Sequence, residues 1–421
     1  MNFVKFNIKN IIFGLLLTVV LIYVIFKAYS MGNDINIYLK ASHKILNHKN
    51  LYPDYIYSPL FALILSPLSF LNSHIARIIW AIINFVVVLR LLHLLNRVIY
   101  KDLLFKEAIK TKIFLAVIFV SAGFLNHNLI LGQITIIILW LTAEGLYQIF
   151  NNKEIKGSAL IALGINIKIL PLLILFYLVF KKKYKSVLLI LIFVFVSLFL
   201  PALFVGFNYN NNLLINWANR INPSGEKYIL ENNNESNSAD AILSAYLYKY
   251  HSSDDTQLYH FKRKITSVSG NTLIAVIQIV KLLLILSVLL LIFYKYKRRR
   301  SASLYLYWEF AWLMLISLLI FPHQMAYALL YLVPAEIYML IFIFSVLQQK
   351  KKMSIKYKLI SFSASVLMFV SAVSGRDVIG SKIVDIFNFY HMQGIVIISF
   401  LLFLLLIKPD DVLKFHPRKT E

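Results

Sequence analysis

Long apolar runs separated by short basic blocks recur along the whole chain, and this alternation predicts an all-α polytopic membrane protein. The first run, 11–30, carries a single charge at Lys27. The stretch that follows, 31–72, is polar and aromatic, keeps helical periodicity and ends in a proline-bounded apolar segment, so it reads as an outer loop of interfacial helices. A spanning helix needs about 20 apolar residues. The blocks KKKYK at 181–185, YKYKRRR at 294–300 and QQKKKMSIKYK at 348–358 mark cytoplasmic loops. Parity between them makes 59–71 an interfacial helix and 73–95 the second span, and folds 157–168 and 169–180 into a hairpin turning at Lys168 and Pro171. The remaining spans fall near 113–125, 130–149, 186–205, 271–294, 303–321, 324–347, 357–374 and 393–407. The expected architecture is about twelve crossings in a single integral membrane domain, 1–421, with both termini inside. The large polar loop, 206–270, lies outside; its run ENNNESNSAD reads equally as an unstructured tip or as part of a site cover.

Composition agrees with this pattern. Hydrophobic residues make up 60% of the chain and charged ones 15%, with mean hydropathy +0.73, which excludes an ordinary soluble domain. The formal charge of +24 sits in the inter-span blocks, so it reports topology and implies no nucleic-acid partner. Cysteine is absent, which removes disulfides and thiolate metal sites. Chemistry is left to carboxylates, imidazoles, amides and cations, with no metal or cofactor expected. The first apolar run is long for a signal peptide and is read as an uncleaved anchor. Abundant Asn, Lys and Ile suggest an AT-rich bacterial genome, hence a bacterial cytoplasmic (inner) membrane.

Polar side chains at the outer ends of spans are the candidates for chemistry, because interrupted helices converge on cavities in membrane proteins. They are Asp34, Asn126, His127, Gln133, Lys168, His323, Gln324, Arg376 and Asp377. Asp34 either caps the helix that starts beside it or projects inward. Asp34, Tyr38, Ala41 and Ile45 share one helical face, with Ile35, Leu39 and Leu46 on another. Lys168 ends an apolar helix, where an ammonium either snorkels or meets an anion such as phosphate. His323, in FPHQMAY, is a loop histidine or an active-site one. No HExxH, GxSxG, Walker or CxxC pattern occurs.

The order of Asp34, Tyr38 and Ala41, Leu51-Tyr52, YIYSPLFALILSPLSFL, Leu131-Gly132-Gln133, GSALIALGINIKILP with KKKYK, then FPHQ and Pro334 resembles the GT-C membrane glycosyltransferases. It is most similar to glycosyltransferase family 87, the polyprenyl-phosphate-mannose-dependent alpha-mannosyltransferases. The resemblance implies a hexose, mannose in that family, moved from a polyprenyl-phosphate donor to an outer-face glycan or glycolipid acceptor at the membrane lipid surface. It also implies that Asp34 is the catalytic base and that His323 matches the family's outer-loop histidine. In the large loop Asn237 is a loose counterpart only. Lys168 is the first candidate for the donor phosphate and Arg376 the second, with Tyr38, His127, Gln133 and Gln324 as further site residues. A phosphate leaving group needs cationic neutralisation rather than a strong general acid, so one carboxylate suffices for transfer with inversion. Two rival readings remain: a lipid-linked-glycan flippase or other transporter, and an O-antigen polymerase or ligase with a pyrophosphate-linked donor. A transporter predicts charges deep inside spans; Arg90, His93 and Glu144 lie near inner ends instead.

Overall fold

The computed structural model describes residues 8–31, 33–52, 54–101, 103, 105–221, 234–248, 263–295, 302–322, 324–349 and 354–415. Among these residues every regular element is a helix, and the sole strand-like pairing is an isolated bridge between Tyr248 and Val268. In chain order the first half contains α1 (Ile8–Ser30), α2 (Asn33–Leu46), α3 (Pro59–Ile64), α4 (Ser66–Ser69), α5 (Ser73–Ile99), α6 (Glu107–Leu131), α7 (Thr135–Phe150) and α8 (Glu154–Ile167). After a 3-10 turn at Leu170–Leu172 come α9 (Leu173–Phe180), α10 (Tyr184–Phe199), α11 (Ala202–Val205), α12 (Phe207–Ile221) and α13 (Ala239–Leu247). The rest comprises α14 (Gly270–Lys295), α15 (Ala302–Ile320), a 3-10 stretch Ala326–Leu332, α16 (Val333–Gln348), α17 (Ile355–Val373), α18 (Arg376–Ile379), α19 (Ser381–Phe389), α20 (Met392–Leu406) and α21 (Pro409–Leu413).

Seven of these segments are long and apolar enough to cross a membrane, and up to nine if the bent pairs at 14–46 and 381–406 each count as one span. The chain is therefore an all-α polytopic membrane protein. The expectation of about twelve crossings needs in addition the short helices α7, α8 and α9, which fall below the length of a full span. α2 is too polar to cross by itself: it carries Asp34, Lys40, His43 and Lys44 in 14 residues, and the chain bends by 57° between it and α1.

Three boundaries differ from the sequence expectation. The interfacial helix foreseen at 59–71 is two helices, because Pro67 in the first turn of α4 has no N–H to continue α3. The span foreseen at 113–125 starts at Glu107 and runs to Leu131, and its stop is Gly132 in left-handed conformation. The foreseen span 324–347 begins as a 3-10 stretch and becomes α-helical at Val333, with Pro334 in the first turn where its missing N–H costs nothing.

The centre and the rim follow from burial. The segments Ser303–Ile320 and Ala326–Gln348 are 83% and 94% buried, against 11% and 17% for Tyr184–Val205 and Gly270–Val288. An evenly apolar helix that other helices leave uncovered suits contact with lipid. Polar ties cross the central pair. Glu309 of α15 meets Lys181 at 2.7 Å and accepts from Tyr177 at 2.8 Å, and Glu336 of α16 accepts from Ser121 at 2.8 Å. Sequence inspection passed over both glutamates, whose partners lie on distant helices.

The α7–α8 contact rests on paired glycines. A Cβ on Gly157 would stand 2.5 Å from the Gly145 carbonyl oxygen and 2.9 Å from the Ile149 amide nitrogen, so backbone meets backbone, the device by which membrane helices approach closely. Gly157→Ala should therefore force the helices apart and lower stability by about 1–3 kcal/mol. Gly123→Ala, whose Cβ would meet only the Ala372 carbonyl at 3.7 Å, should leave it nearly unchanged. Thermal unfolding of both variants in one detergent decides this: equal midpoints would show that the contact yields without cost.

Candidate active site

The site is built where three helices end. α6 stops at Gly132, whose φ of +70° is a left-handed cap. Its carbonyl accepts from the Trp80 indole at 2.7 Å. A side chain would be crowded as well as strained there: a Cβ would lie 3.1 Å from Trp80 Cδ1 and 3.2 Å from Ile35 Cβ. Ile35 thus seats the first turn of α2 directly on the end of α6. The residue after the glycine, Gln133, is buried and donates its side-chain Nε2–H to Asp34 Oδ2, across 99 residues of sequence. The face assignment for α2 needs a correction. Tyr38, Ala41 and Ile45 are buried as expected, but Ile35 and Leu39 are buried too, so the packed stripe is wider than a single face because α2 lies in a groove between the α3–α4 corner and α5–α6.

Lys168 occupies the break between α8 and the 3-10 turn, in extended conformation. Its Nζ lies 4.8 Å from the centroid of the Tyr327 ring, a cation–π contact on a half-buried side chain. Its charge and that of Asp34 act on each other. Tyr327 is held in turn by Asn128, which donates to its carbonyl at 2.9 Å and to that of Phe124 at 2.8 Å. Burial raises the Asp34 carboxyl above its ordinary range, while the Gln133 hydrogen bond and the Lys168 charge pull it back.

An aromatic floor backs the carboxylate. Tyr38 and Tyr57 share a hydrogen bond of 3.2 Å between their hydroxyls, and Phe61 and Trp80 stand edge-on to Tyr38 at 5.2 and 6.2 Å. Ser58, the N-cap of α3, donates to Asn166 Oδ1 at 2.7 Å, and Asn166 donates to Ser197 at 2.9 Å. This chain ties the interfacial helices to the last turn of α8, next to Lys168. Among the described residues the buried Gln133 Oε1 has no hydrogen-bond partner. Such an oxygen costs about 1–3 kcal/mol unless something donates to it, and a hydroxylated ligand beside Asp34 would do so.

The other sequence candidates divide. Asn237 and Gln324 come together: the Asn237 main-chain N–H and its Nδ2 both donate to the Gln324 carbonyl, at 2.8 and 3.0 Å. Both are buried, with Gln324 Oε1 a second buried oxygen lacking a partner among the described residues. The unstructured-tip reading does not hold from residue 236 on, since Ser236, Asn237, Ser238 and Asp240 are all buried. His391 holds this segment by its contact to the Ser236 carbonyl at 2.9 Å, and Lys281 reaches Asp240 at 2.7 Å. His127 is exposed on α6; the buried polar side chain of that turn is its neighbour Asn128. His323 lies outside the described residues, and Arg376 and Asp377 begin α18 with their side chains outside the description. Sequence reading passed over Tyr57, Asn128, Asn166, Tyr327 and His391. Tyr57, Asn166 and Tyr327 stood inside quoted motifs without being singled out, and Asn128 and His391 carried no signal of their own.

The description of glycosyltransferase family 87 matches residues 55–322, more than half of the chain, and the chain belongs to that family. It is a membrane glycosyltransferase, and the transporter reading falls. No curated protein and no solved structure matches it.

The seat at Gly132 is open to a direct test. Gly132→Ala would place a methyl against Trp80 and Ile35 at positive φ, costing about 1–2 kcal/mol and displacing Gln133 from Asp34. A lower melting midpoint together with a loss of transferase activity exceeding that of Gly123→Ala is expected. Unchanged activity in Gly132→Ala would mean that the Asp34–Gln133 geometry does not depend on this turn.

Proposed function

We propose that the protein transfers a hexose, mannose by family resemblance, from a polyprenyl-phosphate donor to a glycan or glycolipid acceptor with inversion, at the outer face of a bacterial cytoplasmic membrane. The observation that supports it most is that one carboxylate, Asp34, and one ammonium, Lys168, lie near enough for their charges to act on each other, beside Tyr38, Tyr57 and Tyr327. Inverting transfer from a phosphate-linked sugar asks for these two charges. Asp34 takes the proton of the acceptor hydroxyl as its oxygen bonds to the anomeric carbon. The anomeric carbon–oxygen bond to phosphate breaks with its electron pair, and Lys168 neutralises the charge that develops on the leaving phosphate. Gln133 orients the carboxylate through Oδ2, which leaves Oδ1 for the acceptor. The short apolar helix α9, following the Lys168 break, offers a wall for the prenyl chain, and Gln133 Oε1 is available to a sugar or acceptor hydroxyl.

Asp34→Asn should fold and insert normally but lose roughly 100-fold to 10,000-fold in turnover. Lys168→Met should lower both turnover and donor affinity, because a charge contact to the leaving group strengthens in the transition state. Lys168→Arg should recover only part, since a planar fork places its charge differently. In the wild type the acidic limb of the rate profile should lie above the ordinary carboxylate range, because burial raises Asp34, and activity should fall as pH drops through it. The assay compares monophosphate-linked with pyrophosphate-linked sugar donors across pH. Near-normal turnover of Asp34→Asn removes the base assignment, and a preference for the pyrophosphate donor turns the reading towards a polymerase or ligase.

Sidedness can be read with single cysteines, since the chain has none of its own. Ile265, 79% exposed, and Tyr184, 62% exposed, serve as outer and inner probes; Ser236, in the same loop as Ile265, is buried and unsuitable. An impermeant thiol reagent on intact cells should label Ile265→Cys and spare Tyr184→Cys. The opposite pattern inverts the topology.

A further inference from the structure

α2 turns a second face away from Asp34, and that face borders a groove of about 350 Å³ closed by the α4–α5 corner. Asn36, Leu39, Lys40 and His43 line it from α2, and Leu71, Ser73 and Arg77 line it from the other side. Its lining holds three basic side chains and no carboxylate. Arg77 is partly fixed before any ligand arrives: its Nε donates to Asn36 Oδ1 at 3.0 Å and one terminal nitrogen donates to the Tyr29 carbonyl at 3.0 Å, so little freedom is lost on binding. Lys40 is exposed and makes no hydrogen bond or ion pair among the described residues. The next lysine, Lys44, is by contrast paired with Asp54 at 3.2 Å. Beside the groove the apolar side chains Phe70 and Ile75 are 75% and 51% exposed, at the level where the interfacial helices meet the first turn of a spanning helix. Cations at a helix–membrane boundary with apolar side chains next to them match a phosphate headgroup and its acyl chains.

We propose that this groove binds the headgroup phosphate of an anionic glycerophospholipid from the surrounding leaflet, separately from the sugar donor. Charge complementarity selects the class of occupant: a zwitterionic lipid brings its own ammonium into a site that already holds three basic groups.

The full-length protein is reconstituted in phosphatidylcholine bilayers with a graded fraction of phosphatidylglycerol, and lipid retained on the purified protein is measured by native mass spectrometry. This readout is independent of transfer, so failure of the donor assignment leaves it intact. Phosphatidylglycerol should be enriched over phosphatidylcholine on the wild type. Lys40→Gln/His43→Gln and the charge reversal Lys40→Glu should lower the enrichment roughly fivefold or more, as loss of juxtamembrane positive charge entails, whereas Lys44→Gln should not. All these positions are solvent-facing or half-buried, and each variant's melting midpoint verifies folding. Equal enrichment in wild type and Lys40→Glu overturns the proposal. So does displacement of the bound phosphatidylglycerol by polyprenyl phosphate, which would hand the groove to the donor.

Discussion

The close approach of Ile35 to Gly132 is the contact on which the site depends. A helix that runs the depth of a bilayer satisfies its own backbone, and any departure from helix inside the protein must be repaid by packing or by side-chain hydrogen bonds. At Gly132 the departure is a single left-handed residue, closed by the Trp80 indole on its carbonyl and by Ile35 against its bare Cα. That turn does three things in one place. It ends α6, it sets the first turn of α2 at a fixed height, and it sends the next side chain, Gln133, to the carboxylate.

The remaining polar groups of the site occupy similar interruptions. Lys168 sits in the break after α8, and Gln324 and Tyr327 belong to the turn and 3-10 stretch that precede α16. In the stretch before α16 the backbone carbonyls are covered by side chains from elsewhere, Asn128 on that of Tyr327 and Asn237 on that of Gln324, while beside the Lys168 break Asn166 ties the Ser58 cap of α3 to Ser197. Asn128 and Asn237 each donate a side-chain amide N–H to a backbone carbonyl, whereas Asn166 bridges two serine hydroxyls. The breaks are held by a small number of such bonds, while Asp34, Tyr38, Phe61 and Trp80 are carried on regular helices.

Much of this was legible in the sequence, and what was not had physical causes. Asp34, Gln133 and Lys168 stood out because an ionisable or amide side chain at the end of an apolar run is costly without a partner. Their order along the chain matched a family, although nothing in their spacing showed that they meet. Tyr57 and Tyr327 could not be singled out among 25 tyrosines, since what distinguishes them is a neighbour from a distant helix. His127 and Asn128 show the limit on a finer scale. One residue turns a helix by roughly 100°, and the inward position fell to the asparagine rather than the more reactive histidine. The sequence left Ser236 open between an unstructured tip and a site cover; it is buried, with its carbonyl bonded to His391, a contact spanning more than 150 residues.

The electrostatics of the site couple its two charged groups. Burial alone raises the Asp34 carboxyl, and the Lys168 charge is one of the two influences that lower it again. In the free protein each charge therefore favours the ionised form of the other, against the burial that opposes both. On the proposed assignment, an arriving phosphate takes up the Lys168 ammonium and adds negative charge beside Asp34. Both changes withdraw stabilisation from the carboxylate and raise its proton affinity. The base would then be strongest when the donor is in place and weaker when it is absent. On that assignment the phosphate leaving group needs no second acid, and the same lysine would serve ground-state solvation of Asp34 before the donor binds and charge neutralisation on the leaving group afterwards. The Tyr327 face suits that exchange, because a cation–π contact holds the ammonium without consuming the N–H donors that the phosphate would use.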